Sequence, residues 1–329
     1  IVYGRSRLAV QVDAGPEGPG CEYCGRCLRG CPRQLIYNSA STVRTGLKPA
    51  PGFVYRPGVL IQRLVEHPDK VSIMARNLET GEPCSFEAKR VFVACGLRAT
   101  TRLVLHALDA WDEPVRIRDA GHFTLPLLSR TPAKGVEAES LHTLAQLFLE
   151  IMDPAVSPHL VHLQLYTYND MFPELLRKKL GPLARLGRPL MERLVVAFGY
   201  LHSNDSDSIE ARLRNAPPRF ILSRKKNARA REVMNKAIRK VKRHARDMNL
   251  IPLPAGPGTS SPGRFFHCAG SLPMRKDPGR LESDTLGRPS GCQRIHAVDA
   301  SVLPTAPATT ITMTIMANAH RIGSLAPDE

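Results

Sequence analysis

Apolar and polar positions change period several times along the chain, and each change predicts an element. Val59 to Leu64 and Val71 to Ala75 carry strand patterns on either side of a polar turn at Glu66 to Lys70. Phe86 to Ala94 rises into the apolar run Val91-Phe92-Val93-Ala94, which predicts a short buried strand. That strand runs into Cys95-Gly96 and a helical pattern from Ala99 to Leu108. Strand, glycine turn and helix in this order are the grammar of a nucleotide-binding α/β sheet.

The middle of the chain has another texture. Leu160 to Tyr168 alternates, Leu194 to Leu201 is apolar, and Ser208 to Leu213 and Arg219 to Ser223 are shorter strand patterns. Strands joined by turns and long loops predict a mostly antiparallel sheet with helices on one face. Met234, Ala237, Ile238, Val241, Ala245 and Met248 then recur at helical spacing. Pro252 to Gly263 reads as a linker. Beyond it, Ile295 to Asp299 predicts a buried strand ending in an acid, Leu303 to Thr310 a proline-interrupted loop, and Ile311 to Ile322 a helix. The N-terminus of that helix offers free backbone N–H groups to an electron-rich ring or phosphate. At the other end, Val2 to Asp13 reads as extended chain, and Ala14 to Gly20 as a Gly/Pro-rich loop.

Composition sets bounds on these elements. With 329 residues and 43% hydrophobic content, the chain can bury a substantial core in one large or two ordinary domains. No run of about 18 apolar residues occurs, and Ile1 to Val10 has no signal-peptide pattern. The first residue is Ile and the opening reads as mid-domain sequence, so the expectation is that further sequence precedes it. Targeting stays open, with cytoplasmic or membrane-peripheral placement expected.

The net charge of +16 is uneven. Residues 224–246 hold eleven Lys or Arg against one acid, Glu232. Residues 175–194 set Arg177, Lys178, Lys179, Arg185, Arg188 and Arg193 among leucines. Both stretches suit a solvated surface, an anionic membrane or an acidic partner. Nucleic acid is not an expected partner, because neither a recognition motif nor interleaved aromatics accompany the charge.

Cys21, Cys24, Cys27 and Cys31-Pro32 fit C-x2-C-x2-C-x3-C-P, the ligand spacing of bacterial ferredoxins. The spacing makes a 4Fe-4S cluster, a zinc site or structural thiols the competing expectations. A ferredoxin carries the run in duplicate, and only one run exists here. Cys31 or a remote thiol such as Cys84, Cys95, Cys268 or Cys292 would have to complete a cluster.

The most specific chemistry lies near the C-terminus. His267-Cys268-Ala269-Gly270-Ser271 is followed by Val298-Asp299-Ala300-Ser301 and then by the Pro307 to Thr310 loop. In this order the blocks resemble the C-terminal signature of the glucose-methanol-choline (GMC) oxidoreductases, flavoenzymes that oxidise alcohols. The resemblance implies an FAD-binding, Rossmann-like α/β domain with an inserted substrate domain, α/β in class and α+β overall. Residues 1–115 and 256–329 would form the FAD-binding part and residues 116–255 the substrate part.

It also implies roles. His267 would be the base that takes a proton from an alcohol or sugar hydroxyl, work suited to an imidazole near neutral pH. Thr310 stands where many members have a second His or Asn, and its hydroxyl can orient a substrate but cannot act as a base. Backbone groups of Asp299, Ala300, Ile311 and Thr312 would hold FAD. Ile61 resembles the residue whose strand meets the adenine, and Ala94-Cys95-Gly96 the turn near the FAD phosphates, with Thr101-Arg102-Leu103 in the helix that follows.

Some relatives carry a similar cysteine segment, which makes a structural loop near the flavin an alternative to a cluster. One departure stands out: no strand followed by G-x-G-x-x-G occurs in the chain. This piece alone is therefore not expected to hold FAD tightly. The electron acceptor and the substrate are not specified by the residues. Competing readings are an iron-sulfur electron-transfer protein, a flavin and iron-sulfur dehydrogenase, and a noncatalytic remnant that binds partners through its basic helices.

Overall fold

The computed structural model describes residues 1–15, 18–169, 171–182, 187–215, 218–253, 258–259 and 267–327. In chain order, β1 (Val2–Arg5) and a short α1 (Ser39–Thr42) precede β2 (Val59–Glu66), β3 (Val71–Asn77), β4 (Pro83–Ala88) and β5 (Val91–Val93). Then come α2 (Leu97–Ala107), β6 (Val115–Asp119), β7 (His122–Ser129), β8 (Leu147–Ile151), β9 (Val161–Tyr166), α3 (Met171–Leu180) and α4 (Arg188–Met191). The remainder is β10 (Leu194–Tyr200), β11 (Ser208–Arg214), β12 (Arg219–Lys225), α5 (Ala228–His244), β13 (Leu250–Pro252), β14 (Gly258–Thr259), β15 (Cys268–Ala269), β16 (Ile295–Ala297) and α6 (Thr312–Leu325). The class is mixed α/β, as the sequence predicts.

The chain divides into two compact units. One comprises Ile1–Tyr55, His122–Tyr200 and Met234–Thr259, and the other Arg56–Gly121, Leu201–Val233 and Ser260–Glu329. The four crowded cysteines belong to the first.

The first unit is built on an antiparallel sheet in the order β1-β8-β9-β10-β7-β13, with β14 also pairing β7. In β7 the burial alternates, with Phe123, Leu125 and Leu127 buried and the residues between them half-buried. That is the mark of a sheet with one core face. Gly199 of β10 stands opposite Phe123, and a Cβ on it would lie 2.1 Å from the ring's Cζ. The ring therefore occupies the volume that a side chain would need. Because Phe123 is 1% exposed it has no room to yield. Gly199→Ala is expected to destabilise the protein by about 1–3 kcal/mol, the usual cost of overpacking, seen as a lower urea midpoint.

The second unit holds three sheets. β2, β3 and β4 form an antiparallel meander; β12, β11, β6 and β15 form a four-stranded antiparallel sheet; β5 and β16 pair in parallel. This last is the one parallel strand pair among the described residues, beside isolated parallel bridges at Trp111–Leu213 and Met274–Ser283. Helix α2 starts at Gly96, whose φ of 81° only glycine adopts freely, and buries Leu97, Thr100, Thr101, Leu103, Val104 and Leu105. Leu97 and Leu105 share an apolar cluster with Ile117, Ile209, Leu213 and Cys268.

His296 lies fully buried in β16 and donates from Nδ1 to the Leu286 carbonyl at 2.8 Å. Burial holds its pKa below the ordinary imidazole value; the Leu286 hydrogen bond opposes this in part, while Arg90 and Arg288 add to it. Protonation therefore favours the unfolded chain. Its contribution to stability is complete above the unfolded-state pKa of about 6.5 and is lost as pH falls below that value. The melting temperature is expected to drop between pH 7 and pH 5. In His296→Asn, whose amide can replace the Nδ1 donor, the drop should be smaller.

Most predicted elements appear with shifted ends. The helix placed at Ala99 to Leu108 is Leu97–Ala107, and the run placed at Phe86 to Ala94 is two strands, β4 and β5. The extended Val2 to Asp13 shortens to β1, after which Val10 makes only an isolated bridge to Ile36. Six strands, β6, β7, β8, β13, β14 and β15, fall where no strand is predicted. Much of the 252–263 linker, part of the 14–20 loop and the centre of the basic 175–194 stretch lie outside the described residues. Along α5, Arg229, Arg231, Arg239, Lys242 and Arg243 are exposed while Val233, Ala237, Ile238 and Val241 are buried, the amphipathic pattern predicted for it. Among the described residues no helix is long and apolar enough to cross a membrane.

Candidate active site

The C-terminal motifs meet in the second unit. His267 is half-buried and directly precedes β15; its carbonyl accepts from the Ala120 N–H at 2.9 Å. The next residue, Cys268, pairs in register with Asp119, and its thiol donates to Asp119 Oδ1 at 3.3 Å. Burial, and then the charge of Asp119, pushes that thiol far above the ordinary range, so it stays protonated. The backbone then runs beside the second motif. Gly270, Leu272 and Met274 donate to the carbonyls of Ala300, Ser301 and Val302 at 3.0, 2.9 and 2.8 Å.

Gly270 has a reason to be glycine. Its φ is +73°, and a Cβ there would lie 2.9 Å from the Leu303 carbonyl and 3.0 Å from Arg118 Cδ.

Two adjacent threonines of α2 tie these motifs to the glycine turn after β5. Thr100, fully buried, donates from Oγ1 to Asp299 Oδ2 at 2.5 Å and accepts from the Cys95 N–H at 3.1 Å. Thr101, also fully buried, shares a 2.6 Å hydrogen bond with the Ser271 hydroxyl. Asp299 Oδ1 meanwhile accepts from the Ser301 N–H at 2.9 Å. The carboxylate of Asp299 is thus engaged inside the protein, and what it offers a ligand is backbone. Cys95 stands close by: burial, and then the charge of Asp299, raises its pKa.

The result is that the carboxyl ends of β5 and β16 are held side by side. Ala94, Cys95 and Gly96 are exposed there, next to buried Asp299 and Ala300. In open α/β sheets this end of parallel strands is where ligands bind.

The remaining predicted residues are distributed unevenly around this end. Ile311 is buried in the cluster that contains Leu97, Cys268 and Ala300. Thr310 and Thr312 are exposed on either side of it, and no side chain caps the N-terminus of α6. The loop before α6 is fixed by reciprocal bonds between Ser203 and Ala306, at 2.9 and 3.0 Å. Ile61, by contrast, lies in a separate apolar cluster with Leu64, Val71 and Val93. Thr100 and Ser203 have no place in the sequence-based site; their partners lie about 100 to 200 positions away, as with Thr100 and Asp299.

The structure gives the ferredoxin-type expectation no support. Among the described residues, which include Cys21, Cys24, Cys27 and Cys31, no group of three or more His, Cys, Asp or Glu is arranged to hold a metal ion. Local backbone geometry accounts for this. Tyr23 and Gly25 take positive φ, Cys27 opens a 3-10 turn, and Gly30 and Gln34 again take positive φ. Two of the thiols bond within their own turns: Cys21 Sγ accepts from the Tyr23 N–H and Cys31 Sγ from the Leu35 N–H, each at 3.3 Å. Burial acts to raise the Cys31 pKa, but the N–H groups of Leu35, Arg33, Ile36 and Gln34 together outweigh it and lower it. All eight cysteines are free thiols.

Comparison with known proteins agrees with this architecture. Residues 205–319, which contain every one of the C-terminal motif residues, match the family model described as GMC oxidoreductase. The fold is similar to pyridoxine 4-oxidase from Mesorbium loti, with a TM-score of 0.55 and 15% identity over 81% of this chain and 56% of that one. It is also similar to a variant of Aspergillus oryzae formate oxidase, with a TM-score of 0.56 and 14% identity over 81% and 59%. A fungal aryl-alcohol oxidase gives 0.50 and 13% over 81% and 60%. The chain thus spans less than two thirds of the length of these structures. No curated protein matches the sequence significantly.

Proposed function

We propose that the chain carries the catalytic base and part of the cofactor surface of an FAD-dependent oxidoreductase acting on the CH–OH group of an alcohol or sugar. The observation that carries this reading is the junction in which Thr100 and Thr101 join the β5 turn, the His267 to Ser271 motif and Asp299. The residues present fit the cofactor. Gly96 has open space where a side chain would stand, the helix α6 begins without a capping side chain, and backbone groups at Ala94, Asp299 and Ala300 lie at the carboxyl ends of parallel strands. Ala94, Gly96, Asp299, Ala300, Ile311 and Thr312 would hold FAD, with Ile61 toward the adenine end. When bound, FAD supplies the acceptor for the hydride that leaves the alcohol carbon.

The chain's own residues do the proton chemistry. Nδ1 of His267 is buried, which supports Nε2 as the nitrogen that would face the substrate hydroxyl. Nε2 removes that proton as the C–H bond breaks, so the carbonyl forms without a free alkoxide. Thr310 Oγ1 holds the hydroxyl oxygen by a hydrogen bond. The N-terminus of α6 at Thr312, which no side chain caps, would face the cofactor and favour negative charge there.

The test is spectroscopic. Protein isolated with its flavin should show a flavin absorbance that bleaches anaerobically when a panel of primary alcohols and sugars is added. A flavin spectrum that no hydroxyl compound bleaches would sink the substrate assignment. Because this chain alone is not expected to hold FAD tightly, the cofactor assignment is tested with FAD added in excess, and the absence of any bound-flavin spectrum under those conditions would sink it.

A further inference from the structure

The outer face of the four-stranded sheet carries charge that its own acids do not balance. Register places Arg118 opposite Ser208, Arg116 opposite Glu210, and Ser208 in turn opposite Lys225. Directly opposed residues share a face, so these five side chains line one surface. That surface holds an open pocket of about 500 Å³, floored by Val115 and walled by Arg116, Ser208, Glu210, Lys225 and Lys226.

Its single carboxylate is already engaged. Glu210 pairs through Oε2 with Lys225 and through Oε1 with Arg212, both at 3.1 Å. Arg116 donates from Nε to the neutral Ser208 hydroxyl at 3.1 Å. Among the described residues, no carboxylate pairs with Arg116, Arg118 or Lys226. Arg118 does not line the pocket but adds to the charge beside it, and its Nε is buried with no hydrogen-bond partner. Burial lowers its pKa, and the like charges of Arg116 and Arg275 lower it further. Crowded cations cost stability unless an anion offsets them.

We propose that this pocket binds the phosphate group of a small phosphorylated molecule. Arg116 offers a planar fork of N–H donors, Lys226 a mobile ammonium, and Ser208 a hydroxyl, a set suited to a tetrahedral dianion. One carboxylate would leave the surplus charge only partly offset. The pocket volume is that of a site for a small metabolite. The proposal does not depend on the flavin reading, because none of the residues lining the pocket belongs to the candidate active site.

Calorimetric titration of the chain with inorganic phosphate tests it, with sodium chloride at matched ionic strength as control. Saturable binding is expected for phosphate and none for chloride. Arg116→Gln and Lys226→Gln should each weaken it about tenfold, the scale of one charge-assisted hydrogen bond, with unchanged urea midpoints. Glu210→Gln should tighten it severalfold by releasing Lys225 and Arg212. Co-sedimentation with phosphatidylcholine vesicles, with and without phosphatidic acid, separates a lipid headgroup from a free phosphate. Vesicle capture without free-phosphate binding would overturn the proposal, as would phosphate binding that the variants leave unchanged or that chloride reproduces.

Discussion

Replacing His267 by Ala in flavin-loaded protein is expected to lower kcat by about 10²- to 10⁴-fold, the range that a positioned general base contributes. The flavin spectrum should be retained, because no cofactor-holding role is assigned to the imidazole. The surroundings make this a clean substitution. His267 is held by its carbonyl, which accepts from Ala120, so the backbone anchor survives the loss of the ring. The pH dependence gives a second readout. A protonated imidazole cannot accept a hydroxyl proton, so kcat/KM of the parent protein should fall on the acid side, and in His267→Ala that acid limb should vanish. An alanine variant with unchanged turnover would remove His267 from the chemistry. Thr310→Ala should act more mildly, raising KM with a smaller loss of kcat, since a hydroxyl there orients and does not take a proton.

How much of this was legible in the sequence depends on the range of the interaction. The β5, Gly96, α2 unit could be read because apolar run, glycine and helical period are all local. The C-terminal motifs could be read because their order along the chain is itself specific. β6 was hidden because Val-Arg-Ile-Arg-Asp alternates between a buried face and a face of arginines, and arginines suggest loop. β7 was hidden by Pro126 in its centre. The cysteine run shows the opposite failure. Its spacing is compatible with a metal, yet Cys21 and Cys31 accept from the N–H groups of Tyr23 and Leu35, and no group of metal-holding side chains forms among the described residues. A regular spacing records which residues can converge and does not record the turns between them. Thr100 and Thr101 were illegible in a third way: nothing local distinguishes them from other helical threonines, and their meaning comes from partners 199 and 170 residues away.

That long-range tie is where the second large effect is expected. Asp299→Ala should lower stability by about 3–6 kcal/mol, because hydrogen bonds to a charged group contribute about 1.5–3 kcal/mol each and two are lost. Both are interior: Asp299 is 8% exposed, while Thr100 and Ser301 are fully buried. The substitution strands the Thr100 hydroxyl and the Ser301 N–H at once, and water has little access to replace the carboxylate. Asp299→Asn keeps the acceptor oxygen for one partner and should cost about half as much by the same bond count. A double-mutant cycle with Thr100→Val separates the tie from general cavity formation. If the Thr100 to Asp299 bond is what joins the β5 turn to β16, the two substitutions should couple by about 1–2 kcal/mol. The same variants should weaken flavin retention, since the exposed Ala94 to Gly96 turn keeps its place beside Asp299 through the Cys95 N–H bonded to Thr100 Oγ1. Urea unfolding gives the first quantity and flavin content after gel filtration the second. Additive losses of stability would mean that Thr100 and Asp299 each support their own element; coupled losses accompanied by flavin release would make their hydrogen bond the link by which the fold assembles its ligand-binding end.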